Sequence, residues 1–138
     1  VLPTIDGIED IGALDSTSLL ELESLPKSLI FIGAGYIGTE LAQMMSRMGV
    51  KVTLVTRSHL LPGAEPEVSE ALTDAFVAEG ITLVTGLSYE NVRRDAAGVI
   101  LRVMQGGACR GHGRLSCLHR WQTCQYRRYG FGRGRRRN

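Results

Sequence analysis

The sequence predicts an α/β fold, with a parallel β-sheet covered by helices and a small antiparallel β-meander after it. Short unbroken apolar runs alternate with amphipathic helical stretches, and the connections between them are brief. Strands that are buried on both faces of a sheet have such unbroken apolar runs. The order strand, helix, strand, helix, strand favours parallel pairing through right-handed connections.

The first strand is predicted at residues 29–32, read as Leu-Ile-Phe-Ile, and a helix follows it. Apolar residues spaced three or four apart indicate the helix, and Gly49 stands where a left-handed residue commonly ends one. We interpret the methionines of this stripe as packing residues rather than as a ligand surface. The stripe consists of Ile37, Leu41, Met44, Met45 and Met48.

Two further strands and a second helix complete the predicted parallel layer. The strands are expected at residues 50–57 and 81–86. The second helix is expected at residues 66–80, with Pro66 in its first turn and Gly80 at its end. Its predicted apolar face consists of Val68, Leu72, Ala75 and Phe76.

Smaller elements are predicted on either side of this layer. Residues 88–107 read as two strands joined by a turn at residues 95–98, which gives the antiparallel meander. The leading segment predicts a short helix with a cap at Ser16 or Thr17 and a stop at Pro26.

A glycine-rich turn joins the first strand to the first long helix. Residues 33–38 read Gly-Ala-Gly-Tyr-Ile-Gly and fit the pattern G-x-G-x-x-G. The first glycine permits a tight turn, the second lets a pyrophosphate approach the main chain, and the third lets helix and strand pack closely. The motif predicts a Rossmann-like site in which the free N–H groups of the helix start hold phosphate. The alternative is a glycine turn that only allows close packing.

The end of the second strand indicates which dinucleotide is preferred. A site for NAD usually has Asp or Glu there to bind the ribose hydroxyls, whereas residues 55–58 read Val-Thr-Arg-Ser. Arg57 can pair with a 2′-phosphate and Ser58 can donate a hydrogen bond to it. We therefore predict NADPH, or less favourably NADH, as the ligand. The alternative is a solvated surface arginine.

Charge is distributed unevenly along the chain. All fourteen acidic residues lie between Asp6 and Asp95, whereas nine of the sixteen basic residues lie at or after Arg110. The cysteines also lie beyond residue 108, so the acidic part contains no disulfide and suits a reducing interior. No apolar run approaches the roughly 20 residues that span a bilayer. We expect a cytoplasmic protein without a membrane partner.

Residues 12–105 resemble the nucleotide-binding domain of the flavin-dependent pyridine nucleotide–disulfide oxidoreductases. The resemblance rests on "STSLLELESLPKSLIFIGAGYIGTELAQMMSRMGVKVTLVTRSHLL" and "ITLVTGLSYENV". Within the family it is strongest to the mercuric reductases, while dihydrolipoamide dehydrogenases and glutathione reductases remain alternatives. It implies a linker and short helix from a preceding FAD-binding domain at 1–26 and a partial NAD(P)-binding domain at 27–108. The change in charge and composition marks a basic tail at 109–138.

The resemblance also implies roles for residues of the glycine turn. The parent enzyme would pass electrons from NADPH to FAD, then to a cysteine pair, then to Hg(II). Tyr36 would lie as a lid between nicotinamide and flavin, and Glu40 would face the nicotinamide. Their ordinary alternatives are a packed aromatic and a favourable acid in the first helical turn. The candidate cofactor-binding residues are Gly33, Ala34, Gly35, Tyr36, Ile37, Gly38, Glu40, Thr56, Arg57 and Ser58.

Several features of the family are missing from the sequence. It lacks the two redox cysteines separated by four residues, the FAD-binding glycine loop and the C-terminal His–Glu pair. Cys109, Cys117 and Cys124 are spaced too widely to replace that cysteine pair. We expect no catalytic residue here, no mercury reduction by this chain alone, and a need for the missing FAD-binding and dimerisation domains as partners.

The tail at 109–138 has three interpretations. Nine arginines interleaved with aromatic residues suit a nucleic-acid-binding arm, which would make the chain a nucleotide-binding module with a second, basic contact surface. Its cysteines and histidines include enough ligands for zinc, at irregular spacing. In a reading frame shifted by one nucleotide, however, "HRWQTCQY" becomes T-G-G-R-P-A-N-I with permitted codon choices, which resembles the family's flavin-contacting turn. We favour this out-of-frame or disordered tail and expect neither a nucleic-acid partner nor a metal.

Overall fold

A computed structural model describes residues 4–96, 98–105, 116–121 and 124–126. It contains two sheets, a parallel one in the order β3-β2-β1-β7 and an antiparallel one in the order β4-β5-β6. The predicted α/β class with a small meander is confirmed. The elements are α1 (Ser16–Leu20), β1 (Ser28–Ile32), α2 (Tyr36–Arg47), β2 (Lys51–Val55), α3 (Pro66–Ala78), β3 (Thr82–Val84), β4 (Leu87–Asp95), β5 (Gly98–Gln105), β6 (Ser116–Trp121) and β7 (Cys124–Tyr126).

The parallel sheet brings the ends of its first three strands to one level. Ile32 pairs with Val55, and Val55 pairs in turn with Val84. Because parallel strands leave the sheet in the same direction, the turns after β1 and β2 open at the same edge. This carboxyl edge is where ligands bind in open α/β sheets.

The antiparallel sheet is a hairpin extended by a third strand. β4 and β5 pair from Leu87 with Gln105 to Asp95 with Gly98, as the predicted turn requires. The register shifts between Tyr89 and Asn91. β6 pairs with β5 and β7 pairs with β1, so both sheets include strands from beyond residue 108. The other residues beyond 105 lie outside the described part, and the boundary at 108 stays a prediction.

The side chains of β1 alternate between two hydrophobic clusters. Leu29 and Phe31 pack with residues of α2 and α3, including Met45 and Phe76. Side chains of β1 on the opposite face pack with the meander and with the leading segment. That second set includes Ile5, Ile8, Ile11, Ile30, Ile32, Val92, Val99 and Leu101.

The leading segment is also joined to the meander by hydrogen bonds. The Val92 N–H donates to the main-chain oxygen of Asp6 at 2.8 Å, and the Arg94 guanidinium Nε donates to that of Ile11 at 3.1 Å. Gly7 lies so close to β4 that a Cβ on it would overlap the Val92 oxygen at 2.2 Å. Residues 5–11 therefore complete the core on this side of the sheet.

Several details of the helices differ from the sequence expectations. Asp15, rather than Ser16 or Thr17, caps α1, because its carboxylate accepts from the N–H groups of Thr17 and Ser18. In α2 the fully buried residues are Thr39, Ala42 and Met45, whereas Met48 is 45% exposed. Small side chains at the contact let a helix approach the sheet closely, and of the larger residues in the stripe Met45 is buried while Leu41 and Met44 are only partly buried.

The buried residues of the second long helix, α3, also differ from the predicted apolar face. Val68 is 50% exposed, and the buried residues of α3 are Ser69 and Phe76. Pro66 begins the helix as predicted, and Gly49 and Gly80 have the positive φ angles expected after helix ends. None of the helices in the described part of the chain has the length and apolar character that a membrane span requires.

Candidate functional site

The glycine turn after β1 is fixed to the neighbouring strand. Gly33 has a φ of +96°, a conformation that strains residues with a Cβ atom. Its N–H donates to the main-chain oxygen of Val55 at 2.8 Å, so the turn starts at the level where β2 ends. The positive φ explains why the first glycine of the motif is needed, and the hydrogen bond fixes that glycine beside β2.

The other two glycines of the motif face very different surroundings. A Cβ placed on Gly38 would lie 2.6 Å from the main-chain oxygen of Gly33, so only glycine lets α2 approach the turn this closely. A Cβ placed on Gly35 would meet nothing within 4 Å. The main chain at Gly35 therefore borders open space, as a turn that receives a ligand would.

The start of α2 lies in the same turn. Gly35 is the N-cap residue, and no side chain in the described part of the chain caps the helix there. The Thr39 hydroxyl is turned inward and lies within hydrogen-bond distance of the main-chain oxygens of Gly35 and Tyr36, at 3.0 and 2.8 Å, so that its one O–H can donate to either. The first N–H groups of a helix have no partner within it and carry its partial positive charge. They give this turn the character of an anion site.

The end of β2 supplies the polar residues predicted to select the dinucleotide. Thr56 is buried, and its N–H donates to the main-chain oxygen of Val84 at 2.9 Å. Arg57 and Ser58 follow it and are exposed. The guanidinium carbon of Arg57 lies 5.9 Å from the centre of the Tyr89 ring. The exposed Arg57 side chain thus lies beside an aromatic face at the carboxyl edge.

The loop after Ser58 is tied down at two points. The Leu61 N–H donates to the main-chain oxygen of Ala34 at 2.8 Å, which joins this loop to the glycine turn. The buried Ser69 hydroxyl donates to the oxygen of Leu60 at 2.6 Å. Leu61 has a φ of +47°, which is uncommon for a residue other than glycine. These ties hold the two candidate loops together.

The structure thus places the predicted residues in two adjoining groups. Residues 33–38 form the first group, residues 56–58 form the second, and the Gly33–Val55 and Ala34–Leu61 hydrogen bonds connect them. Tyr36 is 63% exposed at the helix start, and Glu40 is exposed further along α2. The described residues include no group of three or more His, Cys, Asp or Glu side chains placed to hold a metal ion.

Sequence reasoning missed three residues that shape this region: Leu61, Ser69 and Tyr89. Ser69 had a detectable signal, because it is a polar residue on the inner side of an amphipathic helix. Leu61 and Tyr89 had none, since each acts through a contact with a distant part of the chain.

A protein-family profile described as "Pyridine nucleotide-disulphide oxidoreductase" matches residues 1–111. The chain belongs to this family. It is 50% identical over 94 residues to a mercuric reductase of Bacillus cereus, and the matched region covers 67% of this chain and 15% of that protein. It is 38% identical over 117 residues to a dihydrolipoyl dehydrogenase of Chlorobaculum tepidum, which covers 83% of this chain and 25% of that protein.

Solved structures of flavoenzymes have the same fold. A Cu(II) complex of the HOCl-induced flavoprotein disulfide reductase RclA from Escherichia coli matches 92% of this chain with a TM-score of 0.77 and 26% identity. The match covers 27% of the RclA chain. The protein thus spans less than a third of the length of these relatives, which are larger proteins.

Proposed function

We propose that this chain is the NAD(P)H-binding portion of an FAD-dependent oxidoreductase similar to mercuric reductase, and that its turn at residues 33–38 binds the pyrophosphate. The observation that carries the proposal is the contrast within that turn. Gly38 is required for helix packing, whereas Gly35 faces open space at an uncapped helix start. Packing alone explains a glycine at position 38 but not at position 35, where a side chain would have room.

The fit to a dinucleotide follows from groups that this chain supplies. The N–H groups at the start of α2 would donate to the pyrophosphate oxygens, and the missing Cβ of Gly35 leaves room for their approach. Arg57 and Ser58, at the end of β2, would bind the 2′-phosphate of NADPH. The bound dinucleotide would supply a hydride to a flavin held by the rest of the parent.

The side chains of Tyr36 and Glu40 are assigned by resemblance to the family. Tyr36 projects from the first position of α2, where a lid between nicotinamide and flavin would start. Glu40 lies one turn further and would face the nicotinamide. Neither role is needed for pyrophosphate binding, so each can be tested separately from it.

The parent's substrate is proposed from identity over the matched region. The 50% identity to a mercuric reductase exceeds the 38% identity to a dihydrolipoyl dehydrogenase, so we place the parent nearer the former. The dihydrolipoyl dehydrogenases remain the second candidate because their match extends over more of the chain. The family's redox cysteine pair is absent from this sequence, so we propose that the chain alone reduces neither substrate.

Calorimetric titration of the full chain with NADPH and NADH tests the proposal. Titration with 2′,5′-ADP and with 5′-AMP isolates the 2′-phosphate, because these ligands lack the nicotinamide half. We expect binding of both dinucleotides, tighter for NADPH. If neither NADPH nor NADH binds, the proposed function is refuted. If NADH binds more tightly than NADPH, only the preference for NADPH is refuted.

The tail at 109–138 plays no part in this proposal. Sequencing the gene through codons 100–138 tests whether the shifted frame continues as family text. Binding of unrelated oligonucleotides that weakens with salt and is lost on deletion of the tail would instead favour the nucleic-acid interpretation. The cytoplasmic location expected from the sequence also stays a prediction.

A further inference from the structure

Tyr89 connects the meander to the candidate site in the parallel sheet. It lies on β4 at the position where the register with β5 shifts, and such irregularities redirect side chains. Its hydroxyl donates to the main-chain oxygen of Val55 at 3.2 Å, next to the end of β2. The body of the side chain packs against the hydrophobic cluster that contains Val55, Leu87 and Val92. The ring is therefore held from two directions.

The same ring lies beside the guanidinium of Arg57. The distance of 5.9 Å from the guanidinium carbon to the ring centre is within the range of a cation–π contact. Arg57 is exposed, and an exposed arginine loses rotamer freedom when it holds a ligand. An aromatic surface that already confines the guanidinium reduces that loss before any ligand arrives.

We propose that Tyr89 is a positioning residue for Arg57 and thereby increases the preference for a ligand bearing a 2′-phosphate. The inference rests on the proposed function, since it concerns the selectivity of the same site. Tyr89 does not itself contact the ligand in this scheme. It acts by holding Arg57 near the end of β2, so its effect depends on the presence of that arginine.

The test compares Tyr89→Leu and Tyr89→Phe with the unaltered chain, each with and without Arg57→Met. Calorimetry gives the affinities for 2′,5′-ADP and 5′-AMP. Tyr89→Leu removes the ring and should weaken 2′,5′-ADP binding about twofold to fivefold, the range for an exposed cation–π contact, and leave 5′-AMP binding unchanged. Tyr89→Phe keeps the ring and should stay within about twofold of the unaltered chain. In the Arg57→Met background, Tyr89→Leu should have no further effect.

Two results would overturn the inference while leaving the proposed function intact. One is an equal loss of affinity for both ligands in Tyr89→Leu, which would show a general structural role. The other is an undiminished effect of Tyr89→Leu in the Arg57→Met background. If the unaltered chain binds NADPH but not 2′,5′-ADP, the inference fails and the proposed function stands; if it binds neither NADPH nor NADH, both fail.

A further replacement keeps the test valid if Tyr89→Leu does not fold. Pentafluorophenylalanine at position 89 has a shape close to that of phenylalanine, but its ring face no longer attracts a cation. Relative to Tyr89→Phe, it should reduce 2′,5′-ADP affinity about twofold to fivefold with an unchanged Tm. Equal affinities of these two variants would contradict a cation–π role for Tyr89.

Discussion

Alanine at the second glycine of the turn should weaken ligand binding, whereas alanine at the third should lower the stability of the fold. In Gly38→Ala the added Cβ would lie 2.6 Å from the Gly33 oxygen, whereas ordinary contacts begin at 3.4 Å, so the helix and the turn must separate by roughly 0.8 Å. Forcing extra atoms into a packed site costs about 1–3 kcal/mol. The higher helix propensity of alanine offsets up to about 1 kcal/mol of this. We expect a net loss of about 1–2 kcal/mol, or roughly 4–8 °C in Tm.

Gly35→Ala should instead leave folding nearly unchanged. Gly35 has a φ of −75°, which alanine adopts freely, and a Cβ there would meet no atom within 4 Å. The methyl group would occupy the space through which a pyrophosphate approaches the helix start. Losing one hydrogen bond to a charged group weakens binding by about 1.5–3 kcal/mol, so NADPH affinity should fall by tenfold or more.

Thermal unfolding followed by circular dichroism and calorimetric titration with NADPH distinguish the two variants. A Tm of Gly38→Ala equal to that of the unaltered chain would refute the packing argument. Unchanged NADPH affinity in Gly35→Ala would refute the assignment of the pyrophosphate to this turn. Gly35→Ala also serves as the matched control for the Tm of Gly38→Ala, because both variants add one methyl group to the same turn.

Three other substitutions, one of them with a control variant, test separate parts of the structure. Arg57→Met should reduce NADPH affinity about tenfold or more and leave NADH affinity unchanged, whereas Lys51→Met, which removes a charge at the opposite end of β2, should change neither. The Arg47 hydrogen bond holds the pKa of the Glu79 carboxyl below its ordinary value. The pair therefore stabilises the fold at pH values above that ordinary pKa, and this stabilisation is lost as the pH falls through the lowered pKa. Urea unfolding of Glu79→Gln should therefore show a weaker decrease in stability between about pH 5 and pH 3 than the unaltered chain, and an equal decrease would contradict this. Gly7→Ala, with a φ of +81° and a Cβ 2.2 Å from a β4 oxygen, should lower the Tm more than Gly38→Ala, and a smaller effect would contradict the close packing of this segment.

The parts of the fold that follow from local rules were predictable from the sequence. Unbroken apolar runs located β1 and β2, and the glycine pattern located the start of α2. The cap of α1 lies one or two residues before the predicted Ser16 or Thr17, because Asp15, Ser16 and Thr17 all suit that position. The buried face of α2 was shifted because hydrophobicity alone does not show that Thr39 and Ala42 allow the closest approach to the sheet.

The contacts that shape the candidate site depend on tertiary structure and have no local signal. The hydrogen bond from Leu61 to Ala34 and the contact of Tyr89 with Arg57 both join residues far apart in sequence. Spacing patterns describe which face of one element is apolar, but they do not show which residue of another element lies opposite. The motif therefore located the candidate phosphate-binding turn, while the residues that hold it in place had to come from the structure.

The leading segment also affects the order in which the parts of this fold form. Ile11 accepts its hydrogen bond from Arg94, 83 residues later, and Ile5, Ile8 and Ile11 share a cluster with residues of β4 and β5. These isoleucines precede the meander in the chain, so their contacts with β4 and β5 form only after those strands have been made. Loops this long slow folding because their closure entropy is lost before the contacts form. We expect the side of the sheet formed by α2 and α3 to become protected from hydrogen exchange first, and the side formed by residues 5–11 last.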